Sequence, residues 1–181
     1  MLISVGGKQL GLDKGKCEIP FLSHAHSDHT SGMKKKEKII ATQATIDLAR
    51  LNAEAITYPE TEMLNAGHIL GSTQLWAETD GGTVLYTGDF RTENGIFTKG
   101  ATPKEADKLI IESTYGNPAF SFPPLEETYS KISSWVKSKN NSILVFGAYS
   151  LGKTQELIGI LNQYCDVVPV VTSDSEHFNS V

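Results

Sequence analysis

Four potential metal ligands lie within six residues of the sequence, from His24 to His29. His24 and His26 are two residues apart, so in an extended segment both imidazole rings project to the same side. Asp28 and His29 follow on a turn, where the chain can direct them to a second point. Imidazole nitrogens and carboxylate oxygens suit Zn²⁺, at about 2.0–2.2 Å from the ion. The spacing therefore predicts a site that serves two neighbouring metal ions rather than one.

The other candidate ligands are spread along the chain. Of the five histidines, only His68 and His177 lie outside the first cluster, both in polar segments that contain glycine or serine. Asp89 follows a predicted strand directly after Gly88, where a carboxylate can bridge two cations. A lone histidine is more often structural, and an aspartate after glycine is often part of a turn. Taken together, these residues predict one metal site.

The sequence predicts an alternating order of strands and helices that carries these residues. Strands are expected at residues 2–5, 8–12, 18–22, 73–79, 83–87, 108–112, 142–146 and 167–171, and helices at residues 42–51, 125–136 and 153–161. Asp80, Gly81 and Gly82 predict a hairpin turn between two of the strands. The proline-rich stretch at residues 117–124 is the one predicted boundary between domains.

Several segments resemble the metallo-β-lactamase superfamily and, within it, the β-CASP nucleases. These segments are GLDKG at 11–15, HAHSDH at 24–29, AGHILG at 66–71, TGDF at 87–90, ESTYG at 112–116 and YSLGKTQEL at 149–157. The resemblance covers residues 8–161 and implies an α/β fold, the αββα four-layer sandwich. Residues 1–116 would form the metallo-β-lactamase core. Residues 117–181 would form a reduced β-CASP-like segment that returns to the core, so the C-terminal part is expected to be reduced or truncated.

The resemblance also implies a role for each candidate residue. One zinc ion would be held by His24, His26 and His68, and a second by Asp28 and His29, with Asp89 bridging the two. Ser175, Glu176 and His177 resemble the segment that supplies the last ligand in the DNA-repair branch, which would make His177 a ligand of the second ion; a polar tail without a role is the alternative. Mn²⁺ is an alternative to Zn²⁺.

Three residues are expected to assist the reaction. Asp13 would orient the ligands by hydrogen bonds. Asp28 would orient the attacking hydroxide or accept its proton. Glu112 would lie near the site and position a phosphate or a ligand histidine.

The implied function is metal-dependent hydrolysis of phosphodiester bonds in RNA or DNA. The expected reaction is exonuclease-like and uses a hydroxide that two zinc ions activate. A small-molecule hydrolase of the same fold, lactamase-like or glyoxalase-like, is one alternative. An inactive scaffold that retains zinc is another. The sequence leaves open RNA or DNA, endonuclease or exonuclease, and the polarity of cleavage.

A phosphate-binding loop is a competing interpretation of one segment. Residues from Gly147 to Thr154 satisfy the pattern G-x-x-x-x-G-K-T. That motif requires a strand before it and a helix after it, and both are predicted here. Few residues follow Thr154, and the β-CASP resemblance accounts for the same segment without a nucleotide. Nucleotide binding is therefore the minor alternative.

Composition sets limits on partners and location. Hydrophobic residues make up 39% of the 181 residues and charged residues 20%, as in ordinary globular proteins. No apolar run approaches the roughly 18 residues of a membrane span, and no signal peptide is evident. Cys17 and Cys165 are too few for a disulfide framework, which favours a cytoplasmic protein with reduced thiols. A homo-oligomer that supplies the missing cap is left open.

The net charge of −5 is unusual for a protein that binds nucleic acid. Two bound divalent cations would add four positive charges and bring the net charge close to −1. The one basic cluster runs from Lys34 to Lys38, and such a run is most often a solvated surface. The charge therefore neither supports nor excludes a nucleic-acid substrate.

Overall fold

The strands form two sheets, and both sheets lie in the first of two units of the chain. The protein is described by a computed structural model that covers residues 1–139 and 141–180. The first unit comprises residues 1–94 and 98–113, and the second comprises residues 95–97 and 114–181. The helices of the described residues are too short or too polar to cross a bilayer.

The first sheet, sheet A, has five strands in sequence order. They are β1 (Leu2–Val5), β2 (Lys8–Leu12), β3 (Ile19–Phe21), β4 (Lys38–Ile40) and β5 (Glu54–Ile56). The β1–β2 pair is antiparallel, and the later pairs are parallel. The strands β4 and β5 were not predicted from the sequence.

The second sheet, sheet B, has four strands. They are β6 (Thr61–Asn65), β7 (Thr73–Thr79), β8 (Gly82–Tyr86) and β9 (Lys108–Ile110). Thr79 pairs with Gly82, so β7 and β8 form the hairpin that the sequence predicts around Asp80 and Gly81. The β8–β9 pair is parallel. The mixed α/β class expected from the sequence is therefore present.

The main core lies between the two sheets. Phe21 and Leu10 of sheet A are fully buried in one apolar cluster with Leu75 of sheet B. Burying one such side chain contributes about 2 kcal/mol to the free energy of unfolding. A second cluster packs α1 (Gln43–Leu48) onto sheet A through Ile46. Thr42 begins this helix, because its side-chain oxygen accepts a hydrogen bond from the Thr45 backbone N–H.

The strand directions bring the candidate residues to one edge of each sheet. In sheet A, β2 and β3 are parallel, so Asp13 and His24 both follow the carboxyl ends of neighbouring strands. In sheet B, β6 and β8 run in the same direction because each is antiparallel to β7. His68 and Asp89 therefore also follow strand ends that point the same way. This arrangement explains how residues far apart in sequence meet.

The second unit contains helices and extended segments. The helices are α2 (Leu125–Ser138), α3 (Lys153–Ile160), which continues as a π-helical turn to Cys165, and α4 (Ser173–Asn179). The predicted strands at residues 142–146 and 167–171 are wrong, because neither segment pairs with another strand in the described residues. Their side chains are correspondingly exposed, with Ile143 at 95% and Val170 at 101%.

One glycine next to a candidate ligand provides a test of the fold. Gly67 has a φ of +72°, and a Cβ there would lie 2.7 Å from the carbonyl oxygens of Arg91 and Lys99. We expect Gly67→Ala to lower the free energy of unfolding by about 3 kcal/mol, since both the backbone and its neighbours must move. Gly7 is a matched control, because its φ is +74° and a Cβ there meets nothing within 4 Å. Gly7→Ala should cost only about 1 kcal/mol. Equal losses in urea unfolding would show that the close approach at Gly67 is unimportant.

Candidate metal centre

Three histidines and one aspartate converge at the edge of the two sheets. One ligand atom from each of His24, His26, His68 and Asp89 lies within 4.8 Å of all the others. The Nδ1 atom of His26 is 3.1 Å from Nε2 of His24 and 3.2 Å from Nε2 of His68. The structure thus brings together residues from three separate stretches of the sequence.

The donor set fits a divalent metal ion such as zinc. With metal–ligand distances of about 2.0–2.1 Å, two ligand atoms on a tetrahedron lie about 3.3 Å apart. The observed separations of 3.1 and 3.2 Å between imidazole nitrogens are close to that distance. Imidazole and carboxylate groups are ligands of Zn²⁺ and of several other divalent ions. His24, His26, His68 and Asp89 therefore have the chemistry and spacing to hold one metal ion.

A second group of ligand atoms surrounds the other oxygen of Asp89. Oδ2 of Asp89 is 3.8 Å from Nε2 of His24 and 3.7 Å from Nε2 of His68. Oδ1 of Asp89 is 3.4 Å from Nε2 of His29, which in turn is 3.6 Å from Oδ2 of Asp28. The two oxygens of one carboxylate thus face two different sets of candidate ligands. The side chain of Asp28 is 76% exposed, so it lies at the open side of the site.

Asp13 accepts hydrogen bonds from three residues around the site. Its Oδ1 accepts from the backbone N–H of Ser23 at 2.7 Å. Its Oδ2 accepts from the Ser23 hydroxyl at 2.6 Å, from Nδ1 of His29 at 2.6 Å and from the Tyr86 hydroxyl at 2.8 Å. Because Nδ1 of His29 donates its proton to Asp13, the lone pair of Nε2 is directed towards Asp28 and Asp89.

Ser23 and Tyr86 are parts of the site that the sequence analysis missed. The single hydroxyl proton of Ser23 goes to Asp13, so the Ser23 oxygen accepts from Nδ1 of His24, 2.9 Å away. The Nε2 lone pair of His24 is then free to face the other ligands. Gly88 permits this approach, since a Cβ there would lie 2.6 Å from Cβ of Ser23. Ser23 adjoins the histidine cluster, but its type alone gives no signal of this role.

Burial and neighbouring groups shift the pKa values of the histidines in opposite directions. Burial, together with the nearby imidazoles, lowers the pKa of His24 to about 2. Burial, His26 and Arg91 lower the pKa of His68 to about 4. Burial would also lower the pKa of His29, but the hydrogen bond and charge of Asp13 outweigh it and raise that pKa. At neutral pH, His24 and His68 are therefore uncharged, the form that binds a metal ion.

Glu112 lies close enough to influence the electrostatics of the cluster. Burial raises the pKa of Asp89, and the negative charges of Glu112 and Asp28 raise it further against the opposing effect of His29. The carboxylate of Glu112 is 3.5 Å from the backbone nitrogen of Phe90, at the limit of a hydrogen bond. A cation beside Asp89 would offset this accumulation of negative charge.

His177 lies in the second unit, within helix α4. Its Nε2 atom is buried and has no hydrogen-bond partner among the described residues. An unpaired buried nitrogen is costly unless it has another partner. Its predicted role as a ligand stays a prediction.

The lowered pKa values predict how the metal-free chain responds to acid. Between pH 6 and pH 5, His24 and His68 are largely protonated in the unfolded state, where their pKa is about 6.5, but largely neutral in the folded state. The folded state therefore becomes less stable as the pH falls. We expect the free energy of unfolding, measured by urea titration with a chelator, to drop by on the order of 2 kcal/mol over this pH unit. His68→Gln should show a shallower dependence, and an equal slope in both proteins would contradict the assignment.

Comparison with known proteins gives relatives but no matching family model. The probable DNA ligase of Opitutus terrae is 34% identical, and the alignment covers 87% of this chain and 17% of the ligase. The RNase J-like protein of Methanocaldococcus jannaschii is 30% identical, covering 84% of this chain and 45% of that protein. The 5′ exonuclease Apollo of Gallus gallus is 27% identical, covering 90% and 40%.

One solved structure has a similar fold. The crystal structure of a protein of unknown function from Enterococcus faecalis matches with a TM-score of 0.54 and 16% identity, over 90% of this chain and 49% of that one. The chain spans less than half the length of each of these four proteins. From its sequence relatives, the chain is a homologue of the metallo-β-lactamase/β-CASP proteins.

Proposed function

We propose that the chain is a metal-dependent hydrolase that cleaves phosphodiester bonds in RNA or DNA, in an exonuclease-like manner. The observation that carries this proposal is the carboxylate of Asp89, whose two oxygens face two different groups of candidate ligands. Two-metal sites of this kind suit in-line displacement at phosphorus. The names of the relatives support the substrate class, since they include an RNase J-like protein and a 5′ exonuclease.

In this proposal, the ligands form two sets that share Asp89. The first set comprises His24, His26 and His68, and the second comprises Asp28, His29 and His177. Two Zn²⁺ ions are the proposed cofactors, with Mn²⁺ as the alternative. Bound divalent cations would acidify a water molecule and offset negative charge on the phosphate.

The chain's own residues would orient the ligands and move the proton. Asp13 fixes the ring of His29 and, through Ser23, the ring of His24, so that both Nε2 lone pairs face the site. The exposed carboxylate of Asp28 is the group proposed to orient the attacking water and accept its proton. Glu112, close to Asp89, would position the phosphate or a ligand histidine.

The fold and domain organisation belong to the same proposal. We infer an αββα four-layer sandwich, which the packing of sheet A between sheet B and α1 supports. Residues 1–116 would form the core, and residues 117–181 a β-CASP-like segment. The division of the chain into two units near residue 113 supports this boundary.

Location and assembly are proposed on separate observations. Cys17 and Cys165 are both free thiols, which supports a reducing compartment such as the cytoplasm. Ile143, Val145 and Val168 are each at least 87% exposed, which supports a homo-oligomer that covers them. Sedimentation equilibrium would measure that oligomeric state.

The structure weakens the competing interpretation as a nucleotide-binding module. Helix α3 follows the glycine-rich segment, but no strand precedes it in the described part of the chain. The side chains of the motif also have other partners, since Lys153 pairs with Glu156 at 3.2 Å and the Thr154 hydroxyl donates to the Tyr149 carbonyl. The context that the phosphate-binding loop requires is therefore absent there.

Substrate competition tests the proposed function directly. The purified chain would be loaded with Zn²⁺ or Mn²⁺, its metal content measured by elemental analysis, and its activity assayed on labelled single-stranded RNA and DNA. A β-lactam and a glutathione thioester would be assayed in parallel. We expect cleavage of an oligonucleotide and no turnover of the small substrates. Turnover of a small substrate alone would contradict the nuclease proposal, and bound metal without any turnover would favour the inactive scaffold.

A further inference from the structure

Four exposed lysines lie on two loops of the first unit that pack against each other. The first loop, residues 14–17, follows β2, and the second, residues 30–36, follows the histidine cluster. The lysine patch consists of Lys14, Lys16, Lys34 and Lys35. In the described residues, none of these four ammonium groups has a carboxylate partner. The patch can therefore meet an anion from outside the chain.

Backbone contacts hold the two loops together. Gly15 lies so close to Gly32 that a Cβ at Gly15 would be 2.2 Å from the Gly32 carbonyl oxygen. The backbone N–H of Gly15 also donates to the Ser31 carbonyl at 3.2 Å, and Nζ of Lys36 donates to the Cys17 carbonyl at 2.7 Å. No lysine of the patch is more than three residues from the contact between the glycines, which is at most about 11 Å of chain. The fold thus gathers lysines from two separate stretches of the sequence.

The two loops are basic although the chain as a whole is acidic. Residues 14–18 and 30–38 contain six lysines, and their acidic side chains are Glu18 and Glu37 alone. The whole chain, in contrast, has a net charge of −5. Like charges repel one another in such a cluster, and a bound anion relieves that repulsion. The local charge therefore favours an anionic ligand.

The lysine patch adjoins the candidate metal centre within the same unit. Lys14 directly follows Asp13, whose Oδ2 accepts a hydrogen bond from Nδ1 of His29 at 2.6 Å. The second loop begins directly after His29, and all these residues belong to the first unit. The nearest exposed carboxylate is that of Asp28, which is itself a candidate metal ligand. A strand with one phosphate at the metal centre can therefore place neighbouring phosphates on the patch.

We propose that the lysine patch binds backbone phosphates of the RNA or DNA substrate, next to the phosphate that is cleaved at the metal centre. The inference rests on the proposed function, since it takes the substrate to be a nucleic acid. Contacts between lysines and phosphates position a strand without reading its bases. They also release counterions from the nucleic acid, so the affinity depends on salt. The patch therefore holds the strand in place independently of its sequence.

Salt titrations of oligonucleotide binding test the lysine patch. Anisotropy of fluorescein-labelled oligodeoxythymidine with phosphorothioate linkages, which resist hydrolysis, would be followed with the full, metal-loaded chain at about 50–200 mM salt. We expect the double variant Lys34→Gln, Lys35→Gln to bind on the order of 10-fold more weakly. The slope of log Kd against log salt should fall by about 1.4, because each lost contact with a single strand removes about 0.7. An oligonucleotide of mixed sequence should show the same losses.

A matched pair of lysines elsewhere in the first unit provides the control. Lys8 and Lys108 begin β2 and β9, whereas the candidate metal ligands follow the opposite ends of their strands. The double variant Lys8→Gln, Lys108→Gln loses the same charge and should keep the wild-type affinity and slope. Metal content would be measured for every variant. Equal weakening in the two double variants would overturn the proposal, because net charge alone would then explain the effect.

Substrate length and a second anion provide further tests. The double variant Lys34→Gln, Lys35→Gln should raise the KM of a long oligonucleotide more than that of a dinucleotide, which has no phosphate beyond the one that is cleaved. Equal increases would overturn the proposal. Vesicles that contain phosphatidylserine test a membrane surface as the alternative ligand. Loss of vesicle binding in this variant, with wild-type binding of the oligonucleotide, would also overturn the proposal.

The two proposals fail in different ways. If the wild-type chain binds no oligonucleotide and cleaves none, the proposed function is wrong and the role of the lysine patch with it. If the wild-type chain binds and cleaves oligonucleotides but the double variant Lys34→Gln, Lys35→Gln has the same affinity and slope, only the role of the lysine patch is wrong.

Discussion

Replacing His26 with alanine is expected to lower both metal content and phosphodiester hydrolysis by at least about 100-fold. Even residues that only orient a metal ligand typically change metal affinity or activity by about 10–100-fold, and a ligand should matter more. Nδ1 of His26 lies between Nε2 of His24 and Nε2 of His68, so its loss opens one side of the first ligand set. Elemental analysis and an oligonucleotide assay on the same preparation would measure both effects.

Cys17→Ala is the control for this experiment. A thiol is also a metal ligand by type, but Sγ of Cys17 donates a hydrogen bond to the Lys14 carbonyl at 2.9 Å. Burial raises the pKa of Cys17, which disfavours the thiolate that binds metals. We expect Cys17→Ala to keep wild-type metal content. Loss of metal in this variant, or its retention in His26→Ala, would show that the ligand set is wrong.

Replacing Asp13 with asparagine is expected to have the second largest effect. Every group that contacts the Asp13 carboxylate donates a hydrogen bond to it. Asparagine replaces one of the two carboxylate oxygens with an NH2 group, which is itself a donor. Whichever oxygen is replaced, the NH2 group would face another donor. Leaving such a pair unsatisfied costs about 1–3 kcal/mol of unfolding free energy. Because the ring of His29 also loses its acceptor, metal affinity should fall by about 10–100-fold. Urea unfolding and metal titration would measure the two effects.

Backbone strain does not confuse the interpretation of this variant. Asp13 has a φ of +46°, in the left-handed region, which asparagine adopts as readily as aspartate. Asp47→Asn provides the matched control, because Asp47 is exposed on α1 and accepts one hydrogen bond from Gln43. Its unfolding free energy should change by less than about 0.5 kcal/mol. If the two variants behave alike, Asp13 has no special role in the site.

The sequence predicted the β7–β8 hairpin well, but it did not predict the five-residue strand β6. The hairpin was predicted from the turn residues Asp80, Gly81 and Gly82 between the two strands, and the structure has it there. In contrast, residues 142–146 and 167–171 have the composition of buried strands but do not pair in the described structure. The composition of a segment indicates a preference for the β conformation and for burial. Whether the segment pairs depends on a partner strand, which the local sequence does not specify.

Residue type and spacing indicated the candidate ligands, but not all of the groups that contact them. His24, His26, His68 and Asp89 could be selected by residue type and spacing, and the structure brings them together. Tyr86 could not be selected, because its type and position are those of an ordinary strand residue. Its hydroxyl reaches Asp13 only because Tyr86 ends β8, so its hydrogen bond depends on how the two sheets pack.

The candidate ligands come from both sheets, which has a mechanical consequence. His24, His26 and His29 follow β3 of sheet A, whereas His68 and Asp89 follow strands of sheet B. A cation held by both groups would act as a cross-link between the two halves of the sandwich. Separating the sheets would then require the ion to dissociate. An ion present at 100 times its Kd would therefore raise the free energy of unfolding by about 2.7 kcal/mol.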